Sequence, residues 1–256
     1  MLVLLLICLT ACMATEYRIA TETIPVRIGE TTIELVIHEA EEPGLTYFVL
    51  HENERTAAEA ALDVIRRNGG RLIEISHTQE RNVSFKLGDE RYVFDPNRVF
   101  TEAGRVATLA DLSKVSPEAL DALEQFADTV LEVLATWQED FIITVHNNTR
   151  GEYSTFSYVN DAQFVRDAMH VHVADREEPD NFFFVTEPDL FDSIRSAGFN
   201  VVLQDNANAT DDGSLSVYAG NRGIPYVNVE AEHGQFESQV RMLEFLNDRL
   251  FREQIE

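Results

Sequence analysis

The chain has 256 residues, 45% of them hydrophobic, enough to bury the core of one large α/β domain. Its formal charge of −25 opposes nucleic-acid phosphates and anionic membrane surfaces, so a nucleic acid is not an expected partner. The two cysteines, Cys8 and Cys12, both lie near the amino terminus; a metal site elsewhere must therefore use histidine and carboxylate ligands.

Leu2 to Leu9 is an apolar run too short to span a bilayer, and no Lys or Arg precedes it. Leu9-Thr10-Ala11-Cys12 resembles a bacterial lipobox. That resemblance implies a signal peptide over 1–11, lipid on Cys12, and an extracytoplasmic protein that meets the membrane only through this anchor. An ordinary signal peptide or a buried strand are the other readings of the run. Over 12–44 the chain opens with strands: Tyr17 to Val36 alternates polar and apolar residues about a turn at Gly29-Glu30, the pattern of a hairpin.

Tyr47 to Leu50 reads as a strand that ends in His51, with Glu54 three residues on and a helical pattern starting at once. A strand end fixes the imidazole and the turn brings the carboxylate back toward it, supplying nitrogen and oxygen ligands for a cation such as Zn²⁺. Glu52 is the alternative carboxylate; the H-x-x-E spacing favours Glu54. Arg55 to Arg67 is the helix, Asn68-Gly69-Gly70 its stop, and Arg71 to Ile75 the next strand, which together predict a crossover unit. Ser116 caps a long helix reaching Trp137. Phe141 to Val145 is a buried-type strand that delivers His146 at its carboxyl end, where α/β sheets gather ligands. Strands over Phe182 to Val185, Val201 to Leu203 and Ile224 to Val229, and helices over Asp189 to Ser196 and Phe236 to Phe251, complete the chain.

Asp95-Pro96-Asn97-Arg98-Val99-Phe100, taken with His51, Glu54 and His146, resembles the zinc carboxypeptidases, whose ordered pattern is H-x-x-E, D-x-N-R-x-F and a distant histidine. Gly213-Ser214-Leu215 and the stretch Gly223 to Glu230 look like that family's later motifs, so the resemblance covers about residues 45 to 235. It implies a single α/β domain over 45–256 with a central mixed, largely parallel sheet flanked by helices. It also implies zinc on His51, Glu54 and His146, Glu230 as general base, Asn97 and Arg98 holding a substrate carboxylate, and Arg91 steadying the oxyanion. Tyr218 lies where the family's substrate-covering tyrosine is sought.

The implied activity is hydrolysis of an amide beside a free carboxylate, as by a metallocarboxypeptidase acting on peptides or cell-wall stem peptides. The short interval from Glu54 to Asn97 looks more like the aspartoacylase and succinylglutamate desuccinylase branch, which deacylates N-acyl amino acids. A carboxylate-binding lipoprotein without turnover is the third reading. Other residues stay open at this level. Glu232 shares a strand face with Glu230 and is an alternative base. His170 and His172 form a pair without a carboxylate motif, His38 and His77 are single strand-end histidines, and Arg150 and Arg222 sit in loops near the expected crevice.

Overall fold

Two segments of alternating hydrophobicity, β1 (Ile19–Ile28) and β2 (Thr31–Ala40), pair antiparallel around Gly29, whose φ of +57° favours a residue without a side chain. This is the hairpin expected from the sequence. The computed structural model describes residues 16–136 and 141–251. The expected signal peptide, Cys12 and Trp137 lie outside the described residues.

The crossover unit follows as β3 (Thr46–Val49), α1 (Arg55–Asn68) and β4 (Arg71–Ser76), with β3 and β4 parallel. A separate hairpin, β5 (Val83–Leu87) and β6 (Glu90–Phe94), precedes α2 (Glu102–Leu112) and α3 (Pro117–Ala135). The Ser116 side chain accepts from the Ala119 N–H and caps α3, with Pro117 in its first turn. Next come β7 (Ile142–Asn148), α4 (Ser157–Asn160), β8 (Ala168–His172), β9 (Phe182–Val185), α5 (Pro188–Ser196) and β10 (Val201–Gln204). The chain continues through α6 (Leu215–Gly220), β11 (Tyr226–Glu232) and α7 (Phe236–Leu250).

Among the described residues the large sheet has nine strands in the order β1-β2-β4-β3-β7-β11-β9-β10-β8. It is mixed: the central run β4-β3-β7-β11 is parallel, as is β9 with β10, and the remaining neighbours are antiparallel. One face packs on α1, α5 and α7 through Val49, Ile65, Val145, Val229 and Leu243. The other packs on α2, α3, α6 and the small hairpin through Phe48, Phe94, Leu109, Phe126 and Leu215. The fold is therefore one α/β domain with helices on both faces of its sheet.

β7 continues two residues past the expected end, because Asn147 and Asn148 stay in register with Ala231 and Glu232 of β11. Polar side chains persist there because each amide nitrogen finds an acceptor. Asn147 donates to Gln239 Oε1 (2.8 Å) and Asn148 to the Asp180 carbonyl (2.7 Å).

The Asn97-Arg98 segment is held against the loop before α6 at a contact that only glycine allows. A Cβ on Gly104 would lie 2.1 Å from the Gly213 Cα and 2.7 Å from the Arg98 carbonyl oxygen, and Gly213 has φ +80°. Gly104→Ala is expected to lower stability by about 1–3 kcal/mol, the usual range for overpacking, measured by urea denaturation. An unchanged midpoint would show that the contact gives way freely.

Candidate metal centre

Three side chains converge at the carboxyl ends of β3 and β7. His51 follows β3, and the Glu54 N–H donates to the His51 carbonyl (3.0 Å), the turn that swings the carboxylate back. Glu54 sits at the start of α1, where the positive end of the helix dipole favours a carboxylate. His146 comes from β7. The His51 Nδ1 lies 2.9 Å from Glu54 Oε1, the His146 Nδ1 lies 2.8 Å from Glu54 Oε2, and the two Nδ1 atoms are 3.2 Å apart. All three residues are at most 3% exposed.

Ligand atoms from these residues lie within 4.8 Å of one another, the one such group among the described residues. Donors about 2.0–2.2 Å from a shared tetrahedral zinc stand a little over 3 Å apart, close to the spacing seen. Two nitrogens and a carboxylate suit a borderline-soft divalent cation. The group fits a metal site.

Asp95 fixes the histidine's orientation. Its Oδ1 accepts from His51 Nε2 (2.8 Å), so in the neutral ring the proton sits on Nε2 and the Nδ1 lone pair faces the centre. His146 Nε2 is buried and has no partner among the described residues. Burial alone would lower the His51 pKa, but the Glu54 and Asp95 carboxylates override it and raise it to about 9. Burial likewise opposes ionisation of Glu54 and Asp95; the imidazoles around Glu54, and His51 beside Asp95, hold both well below the usual carboxylate range.

Glu230 lies on β11, directly beside His146 in the parallel register. Its Oε1 accepts from Asn228 Nδ2 (2.9 Å) and its Oε2 from Asn148 Nδ2 (3.4 Å). Burial raises its pKa, Glu54 adds to the effect, and His146, Asn228 and Arg81 only partly oppose it. It lines the same cavity of about 450 Å³ as His51, Glu54, His146, Asn97 and Arg98. Asn97 accepts the Leu215 N–H on Oδ1 (3.0 Å), which leaves its amide nitrogen as a donor, and Arg98 donates to the Asn97 carbonyl (2.7 Å).

Two expected residues lie elsewhere. Arg91 is exposed on the small hairpin, opposite Lys86 and away from the cavity. Arg81 lines the cavity instead, donating to Glu54 Oε1 (2.8 Å) and lying 3.4 Å from Asp95 Oδ2. Tyr218 does not line the cavity either: α6 turns its ring toward Phe100 and under the Arg222 guanidinium, 3.8 Å away. Tyr153 and Tyr158 line it instead, their hydroxyls hydrogen-bonded to each other and kept protonated by burial.

The alternatives also resolve. Glu52 is no ligand, since it accepts from Ser76, His77 and Gln79. Glu232 pairs with Arg150 (3.4 Å) and lies outside the cavity lining. His170 and His172 lie on strand β8, outside that lining, and His38 bonds Glu74. Arg81, Asn148 and Asn228 were missed by sequence reasoning. Strand alternation from His146 and Glu230 points to the two asparagines, whereas no local pattern points to Arg81.

Fold and site together define an α/β protein with a buried His-Glu-His group fitted to a metal. No protein-family model and no curated protein matches the chain. Solved structures similar to it include an aspartoacylase family protein of Mesorhizobium loti, at 14% identity and TM-score 0.46 over 89% of this chain and 66% of that one. A succinylglutamate desuccinylase/aspartoacylase of Rhodobacter sphaeroides is similar at 16% identity and TM-score 0.45, over 90% and 65%. The murein-tripeptide amidase of Escherichia coli O157 is similar at 9% identity and TM-score 0.42, over 84% and 85%. The chain thus spans about two thirds of the first two, and likenesses this remote carry no activity across.

In metal-free protein the raised His51 pKa adds stability that is complete below pH 6.5 and is lost as pH climbs through about 9. Chelator-treated protein is therefore expected to lose up to about 3 kcal/mol between these values, at about 1.4 kcal/mol per unit. Metal-loaded protein, with His51 neutral throughout, should show no such decline. Urea midpoints across this range check it; identical profiles with and without metal would remove the ion from this site.

Proposed function

We propose that the chain is a zinc-dependent hydrolase of an amide bond next to a free carboxylate, most simply a carboxypeptidase acting on peptides. The supporting observation is Glu230, a buried carboxylate of raised pKa placed beside a buried His51-Glu54-His146 group. His51 and His146, through Nδ1, and Glu54, through its carboxylate, would hold the ion. When bound, zinc supplies a Lewis acid for the carbonyl and brings a water's pKa toward about 7.

The chain's own residues do the rest. Glu230 takes the proton from the attacking water and passes it to the leaving nitrogen, a task suited to a carboxyl group whose proton affinity burial has raised. Asn228 and Asn148 aim its two oxygens. Arg81, already against Glu54, is placed to steady negative charge on the carbonyl oxygen. Arg98, with the Asn97 amide nitrogen, grips the substrate carboxylate, for which a planar guanidinium is well shaped. The lipobox-like Leu9-Thr10-Ala11-Cys12 supports a lipid-anchored, extracytoplasmic setting in which peptides and cell-wall stem peptides are available.

Elemental analysis should find about one zinc per chain, lost in His146→Ala, in keeping with a site of three protein ligands. Glu230→Gln is expected to keep the metal and to lower kcat by about 10²–10⁴ on a panel of peptides and N-acyl amino acids. Near-normal turnover by that variant would remove Glu230 as the base. Arg81→Ala should lower kcat/KM by at least about tenfold, while Arg91→Ala stays near wild type. The reverse pattern would restore Arg91 to the site.

A further inference from the structure

The carboxylate-binding arginine is already paired. Arg98 Nη2 stands 3.6 Å from Asp212 Oδ2, and Asp212 is itself oriented by the Ser214 N–H on Oδ1 (2.9 Å). The other guanidinium lining the cavity, Arg81, is taken by Glu54 and Asp95. Two further carboxylates, Glu152 and Asp167, line the same space. Thr210 holds Asp167 Oδ1 through its N–H (2.7 Å) and hydroxyl (2.8 Å), and Arg166, its nearest guanidinium, is 3.9 Å away with a side chain 64% exposed.

A substrate carboxylate that engages Arg98 draws it away from Asp212 and leaves that acid, 42% exposed at the cavity wall, without its cation. A substrate that carries its own cation replaces the lost partner. One with an acidic side chain adds a further negative charge to a wall that has no spare guanidinium. Asn148 and Asn228, 6% and 8% exposed, also line the cavity, and each has a buried Oδ1 that meets no donor. Beside them Tyr153, Tyr158 and Phe164 pack ring against ring at centroid distances of 5.6–5.9 Å. Such a wall suits an aliphatic stem and tolerates a cation at its end.

We infer that the substrate's carboxylate-bearing residue has a cationic side chain, of the lysine or arginine kind, and that Asp212 is the residue that selects it by exchanging Arg98 for the substrate's charge. The inference rests on Arg98 being the carboxylate anchor of the proposed reaction.

The test is binding to the zinc-loaded Glu230→Gln protein, measured by calorimetry with benzoylglycyl-lysine, benzoylglycyl-phenylalanine and benzoylglycyl-glutamate. The lysine compound should bind about tenfold more tightly than the phenylalanine one, and the glutamate compound most weakly. Adding Asp212→Asn should bring lysine and glutamate compounds to within about threefold, and Asp212→Glu should retain the preference. Equal affinities, no binding by any of the three, or a preference untouched by Asp212→Asn overturns the inference. Turnover by the wild type separates this from the hydrolase reading. Selective binding with no cleavage sinks the hydrolase and leaves the selectivity standing, whereas cleavage that favours the glutamate compound does the opposite.

Discussion

The parallel pairing of β7 with β11 is the constraint on which the site depends. Seven residues run in step, from Ile142 beside Tyr226 to Asn148 beside Glu232, so His146 and Glu230 are neighbours with side chains on one face. A slip of one residue would turn every side chain of one strand to the opposite layer, sending Val145 or Val229 into the cavity. Two sets of contacts oppose that slip. On the site face Thr144 and Tyr226 share a hydrogen bond of 2.6 Å. On the other, fully buried Gln239 donates to the His146 carbonyl and accepts from Asn147, whose own Oδ1 takes the Ala57 N–H at the start of α1. One amide pair thus ties both strands to the helix that Glu54 begins. Removing the Asn147 amide would leave the buried Gln239 Oε1 without its donor, where the penalty is of the order of 1–3 kcal/mol.

Charge is concentrated at the mouth of this register because each group stabilises the next. Glu54 is nearly inaccessible and meets two imidazoles and Arg81; Asp95 meets His51 and Arg81. Burial works against both carboxylates and the cations win, so both stay ionised. Glu230, a short distance along the sheet, has amide donors rather than a guanidinium against its oxygens, and burial prevails. Three acids in one cleft are thereby driven to opposite sides of their ordinary values. Such a separation of environments is what the proposed reaction asks for, one carboxylate to bind a cation and another to carry protons.

Much of this was legible in the sequence because it depends on strand ends and alternation. The opening hairpin, the β3-α1-β4 crossover, the capped α3, and the placing of His51, Glu54 and His146 follow from local pattern, and Glu230 from the family resemblance. Arg81 does not, because its position depends on long-range pinning. Glu52, a ligand by simple chemistry, instead accepts from Ser76, His77 and Gln79, and Gln79 takes φ +63°, an uncommon conformation for a residue with a side chain. That bend delivers Arg81 to Glu54. The Val83 to Phe94 hairpin then carries Arg91 outward, so a residue nearer to the Asn97-Arg98 motif in sequence is farther from the site in space. Tyr218 is turned away for a related reason: a short helix after Ser214 rotates it onto Phe100, while Tyr153 reaches the cavity from a loop and Tyr158 from the single turn of α4, neither with a periodic pattern.

An acidic chain imposes a further condition on any cation it places in a cavity. With a formal charge of −25, an arginine in such a cleft draws the nearest carboxylate, and both lining guanidiniums here are in fact paired. Pre-pairing has two consequences. It holds the planar group in a fixed orientation before a ligand arrives, which lowers the entropy lost on binding. It also makes ligand binding an exchange of partners, so affinity depends on what the displaced acid meets afterwards and not on the new ion pair alone. For Arg81 the displaced partners are Glu54 and Asp95, which a divalent cation and His51 can still satisfy. For Arg98 the displaced partner is Asp212, on a loop fixed by the glycine contact at Gly104, with no second cation beside it among the described ion pairs. The two arginines are alike in kind but differ in what their release leaves behind, and this difference turns an overall negative field into selectivity at one wall of the cavity.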